Sequence, residues 1–138
     1  MIKIYTDGGA CPNPGAKAIG IVIDDDGKQE EFFKRLGYGT NNEAEYEACI
    51  EALRIAKRKG FKKFTMCLDS MLVLKQLSGE WKVKNEKFLD YIGQFEELKK
   101  SFEEINFFYV RGEKNLAHTF VEKQLQDNEV PIFQVKKE

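Results

Sequence analysis

The stretch AIGIVI, residues 18–23, constrains the fold of this chain more than any other. Its isoleucines and valine are stiff at χ1 and favour a strand. Polar residues do not alternate with them, so the strand is predicted to be buried on both faces. Such a strand needs a layer above it and a layer below. Its neighbours supply a sheet. Residues 2–7 alternate, with Ile2, Ile4 and Thr6 against Lys3, Tyr5 and Asp7. GGACPNPG then reads as a loop, and after the DDDG turn residues 29–36 return as a third strand. The three make an antiparallel meander.

Helices alternate with strands after that. NNEAEYEACIEALRIAKRKG predicts a helix from about residue 43 to a stop at Gly60. KFTMCLD predicts a strand, and residues 70–77 a short helix. Phe88, Tyr91, Ile92, Phe95, Leu98 and Phe102 mark one face of another helix. INFFYV is the last predicted strand and residues 114–127 the last long helix. The order βββαβααβα implies an α/β fold: a mixed five-stranded sheet, the antiparallel meander plus parallel strands, flanked by helices. At 138 residues the chain has room for one domain with its own core. That domain is expected to span residues 1–127, with a C-terminal tail at 128–138.

Hydrophobic residues at 42% and charged residues at 33% fit a soluble globular protein. No apolar run has membrane-spanning length, and MIKIYTDGG does not read as a signal peptide. Cys11, Cys49 and Cys67 are odd in number and lack metal-ligand spacing, so reduced thiols and a cytoplasmic setting are expected. A net charge of -1 excludes a protein that coats nucleic acid by bulk attraction. It permits local patches. Arg54, Lys57, Arg58, Lys59, Lys62 and Lys63 form one basic run, and Lys82, Lys84 and Lys87 another; most of these read as solvated faces.

Three carboxylates stand out. Asp7 ends the predicted first strand, and Gly8-Gly9 behind it lets a ligand approach the backbone. Glu43, Glu47 and Glu51 share the polar side of the long helix, but Glu45 aligns with Ala48, Cys49, Ala52 and Ala56 on the side meant for the sheet. A capping box, with Asn42 as N-cap and Glu45 as its reciprocal partner, is the competing reading. Asp69 closes the fourth strand. It is either the N-cap of the next helix or a site residue at the carboxyl end of a parallel strand. If strands one and four are parallel neighbours, all three acids meet. Clustered carboxylates stay ionised only beside cations, and an all-oxygen set suits magnesium or manganese.

In combination these residues resemble type 1 ribonuclease H, over nearly the whole chain. YTDGGACPNPGAKAIGIVI is similar to its first motif, TNNEAEYEACIEAL to its Thr-Asn-Asn-x-x-Glu helix, LDS to its third motif and GEWKVKN to its Trp-Lys-x-Lys-Asn segment. The short connection between residues 78 and 88 leaves no room for the basic handle helix of some members. The resemblance implies an endonuclease that cuts the RNA strand of RNA–DNA hybrids and leaves 5′-phosphate and 3′-hydroxyl ends. It implies two divalent ions, Mg2+ or Mn2+, sharing Asp7, with Glu45 and Asp69 as further ligands.

It further implies that Asn13 and Asn42 reach the minor groove while the Gly8, Gly9 and Ala10 backbone meets RNA hydroxyls. Thr40 matches a phosphate-pocket residue, and Trp81, with Lys82 and Lys84, the channel for the DNA strand. The chain departs from the fourth motif, Asn-x-x-Ala-Asp. Here it reads Asn115-Leu116-Ala117-His118, so the only histidine occupies the fourth carboxylate position as a catalytic and metal-binding residue. A monomer without an obligate protein partner is expected, acting on RNA–DNA hybrids and not on membranes. Two alternatives stand beside this: a hybrid-binding domain with weak or lost cleavage, and another nuclease or strand-transfer enzyme of the same fold.

Overall fold

The computed structural model describes residues 1–126 and the pair 136–137; for 125, 126, 136 and 137 it describes the backbone alone. The expected tail, apart from that pair, lies outside the described residues. In chain order the elements are β1 (Ile2–Cys11), β2 (Gly15–Asp25), β3 (Lys28–Gly39), α1 (Asn41–Lys59), β4 (Lys63–Leu68), α2 (Met71–Leu77), α3 (Glu86–Lys99), β5 (Glu104–Tyr109), a 3-10 turn (Gly112–Lys114), α4 (Leu116–Gln126) and β6 (Lys136–Lys137). The sheet order is β5-β4-β1-β2-β3-β6. β1, β2 and β3 pair antiparallel, whereas β1–β4 and β4–β5 are parallel. The five expected strands are all there, and the two-residue β6 extends the β3 edge. Among the described residues no helix is long and apolar enough to cross a membrane.

Residues 18–23 of β2 are indeed buried on both faces, and the five other than Gly20 are each at or below 2% exposure. Ile21 and Ile23 join Ile4, Phe64, Met66 and Leu68 under α1, α2 and α3. Ala18 and Phe33 meet Val121 and Phe120 of α4 on the other face. Gly20 sits directly under Val121, whose Cγ2 fills the space a Cβ would need. Each large aliphatic side chain buried this way contributes about 1.5–3 kcal/mol.

Several boundaries differ from those read in the sequence. β1 runs on through Gly8–Cys11, predicted as loop, because its ladder with β2 continues to the pair Cys11↔Ala16. The turn shrinks to residues 12–14. α1 starts earlier than predicted. Thr40 is its N-cap, with the Thr40 hydroxyl accepting from the Glu43 amide (3.2 Å) and the Glu43 carboxylate accepting from the Thr40 amide (3.0 Å). The capping box therefore uses Thr40 and Glu43, not Asn42 and Glu45. Gly60 stops the helix with φ 78°, a left-handed turn suited to glycine. α4 starts later than predicted, after the 3-10 turn.

The acidic side of α1 is less solvated than its sequence implies. The Lys17 ammonium, 6% exposed on β2, binds both oxygens of Glu47 (2.6 and 2.8 Å). The Tyr91 hydroxyl of α3 donates to the same carboxylate (2.6 Å). One part-buried ion pair thus ties strand, helix and helix together, with the carboxylate's lone pairs largely used.

Candidate active site

The site forms where β1 outruns β4. The parallel ladder between them ends at Tyr5↔Cys67, while the antiparallel ladder to β2 continues. Asp7, two residues beyond Tyr5, lies past that last pair. Asp69 follows the end of β4 and stands two residues beyond Cys67, so the register itself sets the two aspartates side by side. Asp69 does not cap α2. That role falls to Ser70, whose hydroxyl accepts from the Val73 amide (3.2 Å).

Glu45 comes from above. It lies on the inward face of α1 and is 8% exposed. The contact that delivers it is at Gly8, where a Cβ would run into the Ala44 carbonyl and come within 2.7 Å of the Glu45 amide. Glycine alone lets the helix backbone rest on the strand backbone there. The latch at the front of α1 is Asn41. Its Oδ1 accepts from the Ala10 amide (2.8 Å), and its amide donates to Asn13 Oδ1 (3.0 Å).

His118 arrives from the opposite face of the sheet, in the first turn of α4. Its Nδ1 lies 3.4 Å from Asp7 Oδ2 and 3.5 Å from Asp69 Oδ2. Asn115, fully buried, anchors that turn: its Nδ2 donates to the Thr6 carbonyl (3.0 Å) and its Oδ1 accepts from the Ala117 amide (2.9 Å). Asp7, Asp69 and His118 offer three ligand atoms within 4.8 Å of one another.

The electrostatics are those of anions short of a counterion. Burial, then the charge of Asp69, pushes Asp7 up to about 7, against the opposing pull of His118 and the Gly8 amide. Glu45 is raised well above the usual carboxylate range by burial and by the charges of Asp7 and Asp69. Asp69 is also raised, chiefly by burial, with His118 and Asn115 opposing. Glu45 Oε1 is buried without a hydrogen-bond partner among the described residues. A buried acceptor left this way is costly unless something positive meets it. Carboxylate oxygens plus one imidazole, with an orphaned acceptor beside them, fit divalent cations.

The acids open into a cleft of about 470 Å³, lined also by Gly8, Gly9, Ala10, Asn41, Gly112 and Glu122. Thus Asp7, Glu45, Asp69, His118 and the Gly8–Ala10 backbone come together. Thr40 and Asn42 stand at the start of α1 and Asn13 in the turn after β1; none of the three lines the cleft, although Asn13 accepts a hydrogen bond from Asn41, which does. Trp81, Lys82 and Lys84 lie outside the cleft on the connection between α2 and α3, all exposed. Trp81 is 47% exposed and is no core residue. Sequence reasoning passed over Asn41, which was visible as half of the Asn-Asn pair. It also passed over Glu122, which its spacing of four residues from His118 would have flagged.

A sheet of this order, with acids gathered at the open end of the β1–β4 pair, defines a ribonuclease H-like domain. The reverse transcriptase-like family matches residues 6–124. The solved RNase H1 of the halophilic archaeon Halobacterium salinarum is 32% identical, with a TM-score of 0.85 over 91% of this chain and 98% of that one. LC11-RNase H1, solved in complex with an RNA/DNA hybrid, is 33% identical, with a TM-score of 0.85 over 94% and 100%. The bifunctional protein Rv2228c of Mycobacterium tuberculosis is 35% identical over 117 residues, which cover 83% of this chain and 32% of that protein. The chain thus spans about a third of the length of the mycobacterial relatives it matches. It belongs to the type 1 ribonuclease H family.

Proposed function

We propose that this chain is a divalent-metal-dependent endonuclease that hydrolyses the RNA strand of RNA–DNA hybrids, leaving 5′-phosphate and 3′-hydroxyl ends. The observation that carries the reading is the meeting of Asp7, Glu45 and Asp69 around a buried, unpartnered Glu45 oxygen at the floor of an open cleft. In this reading Asp7, Glu45, Asp69 and His118 hold two magnesium or manganese ions, with Asp7 shared. When bound, the ions supply an activated water and charge stabilisation at the leaving 3′ oxygen.

The chain's own residues position and exclude. Asp7 within β1 and Asp69 just past the end of β4 are both carried on paired strands, so they need little rearrangement on loading. Gly8, Gly9 and Ala10 present a bare backbone edge to the 2′-hydroxyls that mark RNA. Asn13 uses its carbonyl oxygen on Asn41, so its offer to the minor groove is the NH2 donor. Asn42 joins it there. Thr40 uses its oxygen lone pair on the Glu43 amide and keeps its proton for a phosphate of the DNA strand. Trp81 offers a stacking face, and Lys82 and Lys84 phosphate contacts, along that strand. Residues 1–127 act as one catalytic unit, a monomer without an obligate protein partner. Free Cys11, Cys49 and Cys67 accord with a reducing, cytoplasmic setting.

One assay tests the proposal: labelled RNA–DNA hybrid, single-stranded RNA and duplex DNA, each with magnesium and separately with manganese. Cleavage of the RNA in the hybrid alone is expected, and 2′-deoxy substitution around the scissile position should block it. Equal cleavage of duplex DNA would assign the chain to another nuclease of this fold. His118 favours one second reading, a hybrid-binding domain that cuts slowly, because a neutral nitrogen stands where the family motif has an anion. Tight hybrid binding without cleavage in either metal is its signature.

A further inference from the structure

Glu122 belongs to no motif, yet it lines the same cleft. It sits one helical turn beyond His118 on α4, and its Oε2 lies 3.6 Å from His118 Nε2. The other ring nitrogen, Nδ1, faces Asp7 and Asp69. The imidazole therefore stands between a carboxylate on its outer side and two on its inner side. We infer that Glu122 is a positioning residue: it accepts the Nε2–H of His118 and so commits the Nδ1 lone pair to the cation held with Asp7 and Asp69.

This role rests on the proposed ligation by His118 and on the proton inventory of one ring. A neutral imidazole has one N–H and one lone pair. Metal-binding histidines characteristically donate the remote N–H to a carboxylate, which fixes the ring and raises its basicity. In this chain that carboxylate is four residues along the same helix, the spacing that stacks two side chains on one face. Glu122 is largely exposed, with its side chain at 62%, so it is free to swing toward the ring. A small rotation closes the remaining gap to hydrogen-bond length, about 0.5 Å. Through the ring it returns part of the negative charge that a nitrogen ligand lacks. Direct ligation to the same ion is disfavoured because the ring stands between the two.

Calorimetric binding of Mn2+ to the whole chain, without substrate, tests this. Glu122→Ala should weaken Mn2+ binding about tenfold, and Glu122→Gln, which keeps an acceptor but no charge, by less. In a His118→Ala background the Glu122→Ala change should have almost no further effect. An equal loss in both backgrounds would make Glu122 a direct ligand or a bare charge and overturn the proposal, as would no loss in either. Because the chain has one histidine, its ring 15N resonances are unambiguous. With Zn2+ as diamagnetic probe, Nδ1 should shift on loading while Nε2 keeps its proton. If neither nitrogen responds, His118 is no ligand and both readings fall. A response of Nδ1 with no effect of Glu122→Ala on Mn2+ affinity overturns the role of Glu122 alone.

Discussion

α1 and α4 both bring a residue to Asp7, but they do so in opposite ways. α1 is capped at both ends and lies on the sheet through Ala44, Ala48 and Ala52, all fully buried, with its backbone against Gly8. Glu45 therefore has almost no freedom, and its charge is held at the cost of desolvation. α4 is shorter, and one buried side chain, Asn115, ties its first turn to β1. The His118 side chain is 35% exposed, and water reaches its outer edge. Such a site tolerates change on its solvent side. The departure from the family motif falls on the wet flank, where a new side chain meets solvent and not packed backbone.

The largest effect is expected at the residue both flanks serve. Asp7→Asn keeps shape and removes charge, so cleavage should fall by roughly a thousandfold or more if Asp7 bridges two ions. Hybrid affinity and the fold should survive. Single-turnover cleavage near the wild-type rate would end the two-metal assignment.

The same variant tests the desolvation cost. Asp7 is raised to about 7 from an ordinary 3.8, so the folded state holds its proton more tightly than the unfolded chain. The stability this lends is full below about pH 4 and is lost as pH rises through about 7. Metal-free wild-type protein should then be less stable at pH 8 than at pH 5. Asp7→Asn should gain roughly 4 kcal/mol at pH 8 and little at pH 4. Urea unfolding at the two pH values, with and without magnesium, checks it; a gain independent of pH would rule out the buried Asp7 charge as its cause.

The α4 flank should yield to one substitution. Asn115→Ala removes two buried hydrogen bonds and leaves the Thr6 carbonyl without its Nδ2 donor. A loss of about 2–3 kcal/mol in unfolding free energy is expected, with a reduced metal affinity. If stability falls while metal affinity does not, α4 is held in place by more than that anchor. The smallest effect concerns metal choice. His118→Asp should lower the magnesium concentration for half-maximal cleavage several-fold and leave that for manganese nearly unchanged, since nitrogen ligands suit manganese better than magnesium. An identical metal profile in His118→Asp and wild type would detach His118 from the ion.

Short-range periodicity made much of this legible. The inward position of Glu45 follows from counting by 3.6 along α1, and the buried β2 follows from AIGIVI. What escaped depended on partners distant in sequence or on details of geometry. Lys17 reads as a surface residue because its partner, Glu47, is 30 positions away, and Tyr91, which donates to the same carboxylate, is 44 positions from Glu47. Thr40 and Asn42 are both good caps by type, and only the actual turn decides between them. The continuation of β1 through two glycines is set by β2, not by the local sequence. His118 was located by the motif it breaks, whereas Glu122 gains meaning only beside a ring whose orientation no sequence states.

Gly8 also sets a rule for anyone grafting this constellation onto another sheet. Three carboxylates copied in the right order are not enough. The host strand must be bare at the residue after its aspartate, because even a methyl group there would lift the incoming helix. A displacement of about 1 Å is enough to cost a catalytic constellation its function. A designer choosing scaffolds should therefore screen first for a missing side chain, and only then for places to put the acids.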